Sequence, residues 1–120
     1  MTATLIERLG GLVGAAHVVT DANEMAPYLG DWRGRYHGAA RCIVRPGTAE
    51  EVAAVVRACL AVGVPVVPQG GNTSHCGASV PDTSGAAVLV SLSRLNRIRE
   101  VDTANNTMTV EAGCVLQTIQ

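Results

Sequence analysis

Leu5, Leu9, Leu12 and Val13 fall at the three- and four-residue intervals of a helix, and Val52, Val55, Val56, Cys59 and Leu60 repeat that spacing later. A capping-box arrangement stands at each start, Thr4 to Glu7 and Thr48 to Glu51, where a hydroxyl and a carboxylate can satisfy free N–H groups. Gly10, Gly11 and Gly14 predict a short first helix, and Gly63 sits where a left-handed cap would end the second. Between them, residues 20–38 are polar and irregular and read as a surface segment wrapping a core built later.

The strand signals are shorter. Residues 41–45 read as a strand closed by Pro46-Gly47, and in 64–68 the prolines favour a strand over a helix. Residues 86–92 suit a buried strand, while 98–102 and 107–111 predict a hairpin turning through Thr103-Ala104-Asn105-Asn106. Residue 115 onward begins a further helix. The pattern predicts that 41–45 and 64–67 are neighbouring parallel strands, joined right-handedly by the helix over 48–62. A hairpin added to that unit gives a mixed sheet, hence the class α+β. Residues 1–39 read as an N-terminal helix and arm, and 40–120 as the main unit. The chain stops as a new element starts, so a piece of a longer protein is expected.

Composition narrows the picture. At 120 residues and 48% hydrophobic the chain can bury one modest core. It has no Phe, one Trp (Trp32) and two Tyr (Tyr28, Tyr36), so small and β-branched residues must fill that core. Nine basic and ten acidic side chains leave a net charge of −1, which implies neither a nucleic-acid nor an anionic-membrane partner. Every basic residue is Arg, and without Lys a Walker-type phosphate loop is excluded. No apolar run reaches the ~20 residues of a membrane span and no leader pattern opens the chain, so a cytosolic location is expected. Cys42, Cys59, Cys76 and Cys114 form no CxxC pair and read as small hydrophobes in a reducing compartment.

One segment carries candidate chemistry. In the stretch from Pro68 to Pro81, consecutive glycines allow a ligand to approach the backbone, and successive N–H groups can form a nest for an anion. Asn72, Thr73 and Ser74 add neutral donors suited to a diphosphate. The pattern is not GxGxxG and no amphipathic helix follows, which disfavours a Rossmann site. Taken alone, the stretch fits an ordinary tight surface loop as well as a ligand site.

Pro68-Gln69-Gly70-Gly71-Asn72-Thr73 with Gly77 and Ser79-Val80-Pro81 resembles the pyrophosphate loop of the vanillyl-alcohol-oxidase type of FAD-binding domain, especially that of the D-2-hydroxyglutarate, D-lactate and glycolate dehydrogenases. Residues 44–52, 92–98 and 111–116 are similar to further stretches of that family, in the same order, and Asp31-Trp32 fits its N-terminal arm. The resemblance implies the N-terminal subdomain of such a domain. It implies FAD contacts at Pro68, Gln69, Gly70, Gly71, Asn72, Thr73, Ser74 and Gly77, with Gly113 beside them. It further implies a small 2-hydroxy acid as substrate, hydride transfer from its C2 to flavin N5, and a separate electron acceptor. Ser74 and Ala78 depart from positions where relatives often have Gly. Asn72 stands where covalently flavinylated branches have His, so non-covalent FAD is expected; His75 lies three positions later.

On the same resemblance the catalytic and metal-binding residues lie beyond Gln120, so none is assigned here, and the chain alone is expected to be inactive and to self-associate. A zinc site at His75 and Cys76 is disfavoured because adjacent ligands rarely pair, and nothing in the sequence orients a Cys76–His75 nucleophile. His17 and His37 read as solvated. The alternative to an enzyme is a truncated remnant acting as a nucleotide-binding or oligomerising module.

Overall fold

The computed structural model describes residues 2–30, 37–71 and 79–115, with side chains from residue 5 onward. Helix α1 (Thr2–Val13) is followed by a short strand β1 (Val18–Val19), a single-turn helix α2 (Ala22–Met25) and strand β2 (Cys42–Val44). Helix α3 (Ala49–Ala61) leads to β3 (Val66–Gln69), β4 (Val88–Ser91) and a hairpin, β5 (Ile98–Asp102) and β6 (Thr107–Val110). The hairpin and its turn match the sequence expectation closely; Asn106, at φ 55°, takes the left-handed position that Asn tolerates. Residues 20–38 hold α2 and a 3₁₀ turn (Ala26–Tyr28) where only irregular chain was expected. The terminal helix from 115 and the Asp31-Trp32 arm lie outside the described residues, apart from Val115 itself.

The α3 signals are realised. Thr48 Oγ1 accepts a hydrogen bond from Glu51 N at 3.1 Å, while Glu51 Oε1 reaches back to accept from Gly47 N at 2.7 Å. At the other end Gly63 (φ 69°) donates to Leu60 O at 3.1 Å and Val64 N to Cys59 O at 2.9 Å, a Schellman closure. The Thr4 arrangement is not a cap, because α1 begins at Thr2 and places Thr4 inside the helix. The α3 stripe also needs correction. Val55, Ala58 and Cys59 are the buried positions, whereas Leu60 is 75% exposed. Five positions were too wide a stripe for one helix face packed on one sheet.

β2, β4 and β3 run parallel in the order β1-β2-β4-β3, with β1 antiparallel on β2. The two strands joined by α3 are therefore parallel but not neighbours: β4 lies between them. The reason is physical. β4 is buried at every residue, which a strand flanked on both edges satisfies best. β3 carries Pro68, which has no N–H for a ladder, and so takes an edge. The sheet is mixed as expected, but through β1; the hairpin forms a separate two-stranded sheet, largely exposed on both faces.

One face of the sheet (Cys42, Val44, Val88, Val90) packs under α1 and α3, where Leu5, Leu9, Val13, Val55, Ala58 and Cys59 complete the core. Residues of the 1–39 segment thus share one core with the rest. Burial, with the Cys59 thiol beside it, pushes the Cys42 thiol up to about 11, and burial raises that of Cys59 too. Both behave as small hydrophobes. Among the described residues no helix is long and apolar enough to cross a membrane.

The hairpin is held at its base. The Glu111 carboxylate is only 3% exposed, and it accepts from Arg97 N (2.9 Å), Arg97 Nε (3.3 Å) and Arg99 Nη2 (3.3 Å). These bonds, the Arg97 N–H foremost, hold its carboxyl below the ordinary 4.5. Gly113 then donates to Leu95 O at 2.8 Å, in a space so tight that a Cβ would overlap the Leu92 carbonyl.

Two expected outcomes follow from this anchoring. A depressed folded-state pKa contributes stability above the unfolded value that is lost as pH falls through the folded one. The stability gap between wild type and Glu111→Gln, read from urea midpoints, should therefore be full at pH 7 and shrink below about pH 4.5; a gap constant to pH 3 would contradict it. Other titrating carboxylates are common to both proteins and cancel. Gly113→Ala should destabilise by about 2 kcal/mol or more. Gly11→Ala, in open space on α1, should stabilise by about 0.5–1 kcal/mol.

Candidate functional site

In a parallel sheet the carboxyl ends of the strands share one edge, and ligands of α/β sheets bind along it. Here β3 ends at Gln69 and runs into Gly70-Gly71, while β4 ends at Ser91 and runs into the turn over 92–97. Leu92 N donates to Gln69 O at 2.8 Å, so the two exits stay side by side. A cleft of about 380 Å³ opens there, and among the described residues it is lined by Gly70, Gly71, Ser93, Asn96, Ile98, Gly113, Cys114 and Val115.

The sequence-derived residues take different places around this cleft. Pro68 is exposed on the edge strand. Gln69 is buried, and its Nε2 donates to Tyr28 O (2.8 Å) and Ser79 O (3.0 Å). Its side chain thereby clamps the N-terminal arm and the returning end of the glycine-rich stretch onto β3. Gly70 and Gly71 are exposed and line the cleft together with Gly113. Asn72, Thr73, Ser74 and Gly77 lie outside the described residues, as do His75 and Cys76.

Gly71 does not take a left-handed φ; among the described residues only Gly14, Gly63 and Gly85 are glycines that do. Among the described residues a Cβ on Gly71 would meet nothing within 4 Å, and one on Gly70 would meet only Ala112 O at 3.4 Å. Nothing described in the fold requires Gly71. The glycine pair instead leaves backbone bare toward open space, as an approaching ligand needs.

Ser93, Asn96, Cys114 and Val115 line the cleft without having been singled out from the sequence as ligand contacts. Their signal in the sequence was membership of the family-like stretches 92–98 and 111–116. Arg94 braces the first of these stretches: its Nη1 donates to Arg45 O at 2.7 Å and its guanidinium lies over Gly47, where a Cβ would come within 2.6 Å. The described lining holds no carboxylate, so an anionic diphosphate meets neutral donors and bare backbone. The residues present fit a dinucleotide such as FAD.

The model of the FAD binding domain family matches residues 40–120. Over 108 residues the chain is 35% identical to the probable mitochondrial D-2-hydroxyglutarate dehydrogenase of Oryza sativa subsp. indica, covering 90% of this chain and 19% of that protein. Over 119 residues it is 35% identical to the D-2-hydroxyglutarate dehydrogenase of Xanthomonas citri pv. viticola, covering 99% and 25%. The chain therefore spans about a quarter or less of these relatives. One of the two is named as mitochondrial, so the cytosolic expectation gains nothing from them. Among solved structures, substrate-bound p-cresol methylhydroxylase superposes with a TM-score of 0.82 at 22% identity, over 98% of this chain and 23% of that one. With the expected α+β fold in place, the chain belongs to the FAD-binding-domain family and shares its fold with p-cresol methylhydroxylase.

Proposed function

We propose that this chain forms the first, diphosphate-holding part of the FAD site in a flavin-dependent dehydrogenase for small D-2-hydroxy acids of the 2-hydroxyglutarate, lactate or glycolate class. The observation that carries the reading is the Gly70-Gly71 pair, exposed at the carboxyl end of β3, with no demand among the described residues for glycine at Gly71. The names of the relatives support the substrate class.

In this reading the backbone N–H groups that follow β3, with Asn72, Thr73, Ser74 and Gly77, hold the diphosphate. Gln69 ties Ser79, where the described chain resumes, to the end of β3 through its bond to Ser79 O. FAD held by these residues would supply the redox chemistry, as the acceptor of a hydride from C2 of the hydroxy acid, with a separate acceptor for the electrons. An Asn72 amide is no nucleophile toward a flavin, which supports non-covalent binding.

The exposed apolar side chains of α3 and the residue after it, Val56 (41%), Leu60 (75%) and Val62 (57%), favour self-association of the 120-residue chain. Its mass in light scattering should rise with concentration, and a constant monomer mass over a hundredfold range would contradict this.

The cofactor reading is tested in the intact protein. Gly71→Val should leave circular dichroism and thermal unfolding nearly unchanged, because the side chain enters open space. The same bulk fills the room a diphosphate needs. Losing two or three N–H contacts to phosphate at roughly 1.5–3 kcal/mol each weakens binding by several orders of magnitude. The flavin absorbance that survives gel filtration should vanish; a folded, yellow variant would overturn the proposal.

A further inference from the structure

The cleft has a second wall that the diphosphate reading leaves unused. Leu95 N donates to Leu92 O (2.9 Å), Gly113 N to Leu95 O (2.8 Å) and Cys114 N to Glu111 O (3.1 Å), while Leu92 N is tied to Gln69 O (2.8 Å). The segments over 69–71, 92–98 and 111–115 are therefore one hydrogen-bonded frame. Its volume of about 380 Å³ falls within the few-hundred-Å³ range of small-molecule sites.

This part of the lining adds apolar surface to its neutral donors. Ile98 (44% exposed) and Val115 (59% exposed) offer apolar surface to the cleft. The Asn96 side chain is exposed beside them, and its amide has no hydrogen-bond partner among the described residues. The Ser93 hydroxyl accepts from Ser91 Oγ at 3.2 Å, which leaves its own proton to donate. Apolar flanks, one free donor–acceptor pair and one hydroxyl, with no charge, match a planar nitrogen heterocycle. A primary amide presents N–H and C=O side by side, as the edge of adenine requires. The N–H and carbonyl edge of an isoalloxazine requires the same pairing.

We infer that Asn96, assisted by Ser93, reads the ring edge of one of the two heterocycles of the dinucleotide, while the ring faces contact Ile98 and Val115. This rests on the FAD reading above and assigns a ring subsite to the same cleft.

Calorimetric titration of the intact, cofactor-stripped protein with ADP, FMN and inorganic pyrophosphate separates the possibilities. Asn96→Ala should weaken one of the two nucleotides roughly tenfold, the loss of about one good hydrogen-bonding contact. Pyrophosphate should be unaffected. Loss of ADP places adenine at this wall, and loss of FMN places the isoalloxazine there. Ser93→Ala should weaken the same nucleotide by a smaller factor. Both sites are surface positions, and circular dichroism verifies the fold. If ADP and FMN fall together, or neither falls by more than twofold, Asn96 does not read a ring and the inference fails while the flavin reading stands. If wild-type protein binds neither nucleotide, both fail.

Discussion

No side chain fits between residue 113 and the Leu92 carbonyl, and the cleft owes its shape to that close approach. The turn over 92–97 must lie against the turn after β6, backbone on backbone. Gly113 supplies both the absent Cβ and the N–H that bonds Leu95 O. Because Leu92 is also bonded to Gln69, the glycine pair after β3 is fixed relative to the hairpin base. A local packing demand thus sets the distance between the walls of the candidate site.

Around this joint the polar groups are placed economically. Glu111 is shielded but accepts several N–H bonds, among them the Arg97 main chain, so its burial is compensated. Gln69 uses both amide hydrogens on carbonyls of distant segments, Tyr28 and Ser79. Each residue brings together pieces of chain far apart in sequence and keeps charge out of the described cleft. The result is a rim of neutral donors and bare backbone above an apolar core, an arrangement favourable to an anionic, ring-bearing ligand.

The glycines show why residue type alone under-determines role. Gly63 is a helix terminator in the left-handed region, and Gly47 and Gly113 yield to neighbouring groups. Gly71 answers to no described part of the protein at all. The last case speaks most strongly for a ligand, and it could be separated from the others only once their surroundings were known.

The sequence by itself determined the elements whose cause is local. Thr48, Glu51 and Gly63 specify both ends of α3 through bonds within a few residues, and the turn at Asn105-Asn106 specifies the hairpin. Family-like segments in order pointed to an FAD-binding fold, and Gly70-Gly71 to the wall of its cleft. Tertiary structure decided what depends on partners remote in the chain. The place of β4 between β2 and β3 follows from burial on both faces and from Pro68 at the edge, and the hairpin's separation from the sheet from its docking through Glu111. The buried face of α3 was settled by the sheet beneath it, so Ala58 is inside and Leu60 outside. Ser93 and Asn96 line the cleft with the glycine pair because bonds from Leu92 to Gln69 and from Gly113 to Leu95 bring these distant segments together.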